Sequence, residues 1–289
     1  MSASSNDIYV FKPVQAEANP SGSQLSQLAA RSFTALRPLV SHALIGLVCP
    51  LLLFGLWWLT AERQWIAEQI LPSPAFVWQS FRDVLDSGEL IEHVGHSLRR
   101  AALSLLIGGS SGVLLGLAMG LSPTFKAYVF PTFKALAQVP VLGWIPLLII
   151  FVGIDEALKL SAISIAVVVP VTLTILDGIA NIPRALIEVG RVYRFSLTQR
   201  VLRIVLPAAA PSLFTALRQG VMQAWLTVIF VELLSSSEGL GFFMAYSRSL
   251  SQIDMVIVSM LTIGALGIVI ELALRAIELR VQRWRRPAF

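Results

Sequence analysis

The sequence predicts an all-α polytopic membrane protein. Three observations carry this expectation. Hydrophobic residues make up 56% of the 289-residue chain and charged residues only 13%, with a mean hydropathy of +0.75. Apolar runs long enough to span a bilayer recur along it. Its basic residues fall mostly on one side of those runs. A soluble domain runs about 45–50% apolar and about 25% charged, so this chain lacks the charge to cover a soluble globule. It is too apolar to stay disordered. A disulfide scaffold is excluded because Cys49 is the only cysteine.

Residues 1–40 read as a polar cytoplasmic tail, rich in Ser, Asn, Gln and Pro, with nothing to build a core. A transmembrane body occupies 41–289. A spanning helix needs roughly 20 apolar residues, and six candidates satisfy this: 42–60, with Trp57 and Trp58 as an interfacial anchor, then about 97–121, 127–152, 157–180, 210–234 and 255–279. If the N-terminus is inside, fifteen of the 22 Lys and Arg fall on the inner side and six on the outer, with Arg218 inside the fifth span. That asymmetry predicts six transmembrane helices in an N-in/C-in arrangement. The net charge of +5 is then a topology signal. The partners it implies are membrane lipids, not nucleic acid.

Gly108, Gly112, Gly116 and Gly120 repeat every four residues in the second span. They stack on one helix face and let another backbone approach. Packing within the chain is the expected use, and a dimer seam is the other. Arg218, Glu232 and Glu271 are ionisable groups at membrane depth. Glu271 and Arg275 lie four apart, which predicts an ion pair along one helix face. Glu232, near the outer end of the fifth span, either faces a water-filled pathway or hydrogen-bonds the following turn. Arg99 and Arg100 either attract an anion at a pathway mouth, pair with acids such as Glu92, or anchor at headgroups. His93-x-x-His96 is the closest histidine pair but has no third ligand at metal-site spacing, so neither a metal site nor a catalytic centre is expected.

The third span carries Gln138-Val-Pro140-Val-Leu-Gly-Trp144-Ile-Pro146. Each proline removes a backbone donor and clashes with the preceding turn. Freed carbonyls at membrane depth are tolerated where they line a cavity or are buried in protein, so the run predicts either a broken helix beside a pathway or a simple kink. Between spans four and five, residues 183–211 are too polar to cross. Apolar positions such as Ile187, Val192 and Phe195 alternate with Arg191, Arg194, Arg200 and Arg203. This pattern predicts short amphipathic helices with a break near Phe195-Ser196. On physics alone these suit a surface of anionic headgroups.

The same loop carries a pattern. Glu188-x-Gly190, Arg194 and then Ile204-x-Leu206-Pro207 resemble the EAA loop of bacterial ABC importer permeases, with Val189 replacing one alanine and Arg194 replacing the pattern's glycine. If that glycine holds a left-handed turn, arginine there is strained. The resemblance extends over about 65–285 and is closest to the permeases for nitrate, sulfonate, taurine and bicarbonate. His96-Ser-Leu-Arg99, the run from Pro140 to Leu147, Phe151-Val-Gly-Ile-Asp-Glu156, Ala224-Trp225 and Glu238-Gly-Leu-Gly241 support it. The Gly-Ile-Asp-Glu stretch leans toward the aliphatic-sulfonate branch.

The resemblance implies a type I ABC importer permease fold in the bacterial inner membrane. It implies a pathway for a small anion, formed by two copies of the chain. Two cytoplasmic ATPase subunits would engage the coupling loop at about 183–207, through Glu188, Gly190, Arg191, Arg194, Ile204, Leu206 and Pro207. A periplasmic binding protein would deliver the substrate. The hairpin over 235–254, with Glu238, Gly239 and Gly241, would face that protein, as would the acidic stretch 62–92. Gln138, Pro140, Trp144, Pro146, Trp225 and Glu232 are candidates for lining or gating the pathway. No G-x-x-x-x-G-K-[ST] run is present, so ATP and Mg would sit on the ATPase partners and the chain carries no cofactor. The alternative function is a secondary transporter driven by an ion gradient, which predicts paired broken helices in an inverted repeat.

Overall fold

The computed structural model describes Gly46 and residues 48–281. The expected tail over 1–40, the start of the first span and the arginines beyond 281 lie outside the described residues. The chain divides into two units, up to Thr60 and from Ala61 onward. The first contributes most of α1 (Val48–Glu62), an apolar helix whose Phe54 meets Trp57 edge-on.

In the second unit the order is α2 (Pro74–Asp86), α3 (Glu89–Leu121), α4 (Pro123–Leu136), α5 (Val141–Val152), α6 (Glu156–Ala180), α7 (Arg184–Val192), α8 (Leu197–Arg200), a π turn (Val201–Val205), α9 (Leu206–Ser235), α10 (Leu240–Ser249) and α11 (Ile253–Val281). Among the described residues α3, α6, α9 and α11 are long and apolar enough to cross a membrane, and α4 with α5 makes a fifth candidate bent by 97°. Helices occupy all of the expected spans two to six, the third as the bent pair α4 and α5. α3 begins eight residues before its predicted start, and Glu89 and Glu92 in its first turn complement the N-terminal dipole. The outer hairpin expected over 235–254 is instead the helix α10 and a turn into α11, with Ser251 in the left-handed region at φ 61°.

α6 is the core. Leu158, Ala162, Ile163, Val167, Val171 and Ile175 on it are buried, packed between α3 and α9. The polarity of α3 is inverted relative to a soluble helix. It buries Ser97, Arg100, Ser104, Gly108, Gly112, Gly116 and Met119 and exposes Leu103, Leu106, Ile107 and Leu114. Lipid is as apolar as leucine, so burying leucine gains little, whereas small residues bring backbones into dispersion contact. A Cβ on Gly112 would lie 2.9 Å from the Val171 side chain, and one on Gly116 would lie 2.9 Å from the Thr172 carbonyl oxygen. The glycine face therefore packs within the chain, against α6. Thr172 Oγ1 donates to the Gly112 carbonyl at 3.2 Å across the same seam.

α4 and α5 bury little within the single chain. No residue of α4 is buried, and only Ile145 of α5 is. Pro140, at φ −57° and ψ 143°, cannot continue α4 and disfavours helix at Val139 before it. The break at 137–140 is thus a true interruption, not a kink.

Candidate functional site

Three places concentrate the residues singled out from the sequence: the loop between α6 and α9, the opposite end of the bundle, and the broken helix.

In the loop, α7 ends in a Schellman turn. Phe195 N donates to the Gly190 carbonyl oxygen at 2.9 Å, the six-to-one bond of that motif. Arg194 occupies its left-handed position at φ 49°. The turn that glycine would favour is therefore kept with arginine in it. Gly190 is needed for a different reason: a Cβ there would meet Ile204 Cδ1 at 2.7 Å, so its absence lets α7 close on the π turn. α8 starts with a capping box, in which Ser196 Oγ accepts from Gln199 N at 3.3 Å and Gln199 Oε1 accepts from Ser196 N at 3.0 Å. Arg203 lies over the Phe195 ring, 5.7 Å from its centroid. Ile204 is buried, while Glu188, Val189, Val192, Tyr193 and Leu202 are exposed. The side chain of Arg191 lies outside the described set. Gly190 and Ile204 hold the loop together. Glu188 and the apolar ridge of Val189, Val192 and Tyr193 point away from it. Leu206 and Pro207 open α9.

At the other end a charged network closes the bundle. Arg100, 3% exposed, and Glu232, 1% exposed, form an ion pair of 2.8 Å through Arg100 Nη1. The same nitrogen donates to the Glu238 carbonyl oxygen at 2.7 Å. Arg100 Nε and Nη2 fork onto Glu156 at 2.7 and 3.1 Å, and Nη2 lies 3.6 Å from the Glu238 carboxylate. Glu232 also accepts from Ser97 Oγ at 2.7 Å and from Gly241 N at 3.1 Å. Lys159 reaches Glu156 at 3.2 Å. Buried charges survive only when paired and fully hydrogen-bonded, and these are. His93 Nδ1 accepts from Gly239 N at 3.2 Å, and His96 Nδ1 lies 3.1 Å from Glu238.

This network revises several expectations. Arg100 pairs with Glu232, Glu156 and Glu238, not with Glu92, because its side chain points inward along the buried stripe of α3. All three of its guanidinium nitrogens are engaged, so it is not poised to take an anion. Glu232 hydrogen-bonds the following turn, through Gly241, and is buried. Gly239, at φ 102°, has its missing Cβ directed at the Glu232 carboxylate, and that of Gly241 would strike the Ile229 carbonyl oxygen. These glycines admit a buried acid as well as a turn. Glu271 pairs with Arg218 of α9 instead of Arg275. Glu278, two turns further along the same face of α11, lies 3.4 Å from Arg218, so two carboxylates bracket one guanidinium. The sequence assigns no role to Ser97, Glu156 or Lys159, although Ser97 and Glu156 lie in stretches that carry the resemblance. The available signal was Glu156 and Lys159, one turn apart at the head of an apolar helix.

At the broken helix a cavity of about 580 Å³ is lined by Phe133, Pro140, Trp144, Pro170 and Gln223, among others. Pro140 and Trp144 are thus brought together, and Gln223 is a polar wall residue not foreseen. Gln138 is exposed and donates to the Lys134 carbonyl oxygen at 3.3 Å. Pro146 is exposed. Trp225 is 3% exposed in the core, beside Gly267, and is not part of the cavity wall. Among the described residues no group of His, Cys, Asp and Glu could hold a metal. Gly108-Gly109-Ser110-Ser111-Gly112 has the G-x-S-x-G spacing of a nucleophile elbow. It lies mid-helix in α3, where Ser110 Oγ donates back to the Leu106 carbonyl oxygen at 2.6 Å.

The model of the family described as "Binding-protein-dependent transport system inner membrane component" matches residues 112–283. A relative from Bacillus subtilis, "Putative aliphatic sulfonates transport permease protein SsuC", is 30% identical, with 83% of this chain and 87% of the relative covered. The Escherichia coli protein described the same way is 33% identical over 83% and 91%. The Escherichia coli "Taurine transport system permease protein TauC" is 29% identical over 86% and 92%. Among solved structures, an amino acid ABC transporter chain superposes with a TM-score of 0.60 at 17% identity, covering 69% of this chain and 97% of that one. A chain of the MetNI methionine ABC transporter in an inward-facing conformation gives 0.52 at 16%, covering 62% and 92%. The fold is that of ABC importer permeases.

Proposed function

As the chain belongs to the family of binding-protein-dependent transport inner-membrane components, we propose that two copies of it form the pathway of an ATP-driven importer for a sulfonate- or taurine-like anion. It is a multi-pass inner-membrane permease and not itself an enzyme. The names of its SsuC and TauC relatives support the substrate class. In this reading ATP and Mg reside on two ATPase subunits at the α7–α8 end, and a binding protein delivers substrate at the α10 end. The N-terminus and C-terminus face the cytoplasm, and the polar tail over 1–40 precedes a permease domain over 41–289.

The observation that carries the coupling role is the loop itself. It is a short braced helix whose internal contacts consume Gly190 and Ile204, leaving Glu188 and the Val189, Val192 and Tyr193 ridge for a partner. An apolar ridge with a flanking charge suits a cleft on another protein, since the ridge supplies area and the charge supplies orientation. An ion-driven carrier would want two matched broken helices. Among the described residues one helix pair is bent.

The test is reconstitution in proteoliposomes with the cognate ATPase and binding protein. ATP-dependent uptake of taurine or an alkanesulfonate, competed poorly by nitrate and bicarbonate, is expected. Uptake by this chain without the ATPase refutes the reading. Glu188→Lys abolishes co-purification of the ATPase while leaving membrane insertion intact; retained co-purification removes Glu188 from the interface.

A further inference from the structure

We propose that the Arg100–Glu232 pair is a permanent clasp. It makes the ends of α3, α6, α9 and α10 one rigid block, so the protein changes conformation by moving this block against α4 and α5 and not by parting its helices. The arrangement of donors is the argument. Arg100 on α3 reaches three other elements from one guanidinium: Glu156 at the head of α6, Glu232 near the end of α9, and the Glu238 carbonyl just before α10. Glu232 returns the connection, holding Ser97 of α3 and Gly241 of α10. Ser97 closes the ring by accepting from Leu240 N at 2.9 Å.

Separating any two of these elements exposes a buried charge or leaves a buried donor unmade, and both are costly in a water-poor interior. Further along α3 from the clasp, Gly108, Gly112 and Gly116 keep α3 and α6 in backbone contact. No comparable tie holds α4 or α5 among the described residues. α4 buries no residue, α5 buries only Ile145, and the two are joined by the break at 137–140. The buried ties thus join α3, α6, α9 and α10 and leave out α4 and α5.

The experiment uses spin-label distances in lipid nanodiscs, with Cys49→Ser removing the native thiol and cysteines placed at exposed Ile91, Ala157, Leu250 and Ile150. In the assembled complex, the Ile91–Leu250 and Ala157–Leu250 distances stay fixed between nucleotide-free and ATP-trapped states while Ile91–Ile150 changes. A shift in either of the first two, or a fixed Ile91–Ile150, overturns the proposal. In the permease alone, Glu232→Gln and Arg100→Lys broaden the Ile91–Leu250 distribution. An unbroadened distribution also overturns it. The nucleotide comparison rests on the importer reading and the variant comparison does not, so failure of the clasp and failure of that reading are distinguishable. Should a variant not assemble, the wild-type comparison still decides.

Discussion

Gly112→Ala tests the central seam most directly. The added Cβ would sit 2.9 Å from Val171 Cβ and Cγ1 and 3.1 Å from the Val168 carbonyl oxygen, whereas ordinary carbon contacts lie near 3.5–4.0 Å. α3 and α6 must separate by several tenths of an ångström, which loosens the neighbouring contacts at Gly108 and Gly116 as well. Overpacking of this kind costs about 1–3 kcal/mol. Replacing glycine in a helix with alanine also gains about 0.5–1 kcal/mol of backbone propensity. Gly109→Ala supplies the control, because on the same helix its Cβ would meet only Leu105 Cδ1, at 3.7 Å, and Leu105 Cγ. The propensity gain cancels between the two variants, so their difference isolates the seam at about 1–3 kcal/mol. Reversible unfolding in mixed micelles, titrated with sodium dodecyl sulfate, measures it. Gly109→Ala should equal or exceed wild type and Gly112→Ala should fall below it. Equal midpoints for the pair would falsify the close α3–α6 approach.

Other consequences are open to measurement. Arg100→Met strands the Glu232 carboxylate without its cation and should lower stability by about 3–5 kcal/mol, and adding Glu232→Leu should restore most of it, because removing both charges avoids the unpaired state; additive losses in the same titration would argue against a direct pair. Gly153 and Gly239 both hold positive-φ backbone, at 82° and 102°, but only Gly239 faces an obstacle. Gly153→Ala should cost about 1–3 kcal/mol from backbone strain alone, because φ 82° with ψ −169° is a conformation essentially confined to glycine, and Gly239→Ala clearly more in a thermal-inactivation assay. Arg194→Gly relieves the strain at φ 49° and should raise stability by about 0.5–1 kcal/mol once glycine's greater unfolded entropy is deducted. Unchanged or lower stability would mean that the Arg194 side chain contributes contacts outweighing its strain.

Much of the architecture is legible in the sequence because a membrane simplifies the pattern. A span needs only length and apolarity, so α3, α6, α9 and α11 lie within a few residues to about eight of their expected starts. The glycine face is readable because four-residue spacing has one geometric meaning. A disturbance before Val141 is readable because proline cannot donate, but the choice between a break and a kink is not. Partner choice is less legible. Arg275 is the nearest base to Glu271 in sequence, yet Arg218 on another helix takes it, since a long side chain reaches across a groove as easily as along its own helix. Arg100 resembles a surface charge at the head of a span, because its burial depends on which face α3 turns toward α6. Lys159 resembles a surface charge for the same reason, though it too is buried and paired. The α10 segment reads as a hairpin because its signal, Gly239 to Gly241, marks a turn, and the conformation beyond a turn depends on packing.

The π turn at 201–205 has a consequence of its own. A π turn carries one residue more than the α-helix it interrupts, and each residue of a helix advances it by about 100°. The bearing of the exposed Val189–Tyr193 ridge around the axis of α9 is therefore set by that single surplus residue. Deleting Leu202, an exposed side chain within the turn, would let the segment relax to ordinary α-helix. Every other residue of the loop would remain, but the ridge would swing by about a quarter of a revolution and face elsewhere. In the proposed coupling role, engagement of the ATPase partner would then be a matter of phase as much as of chemistry.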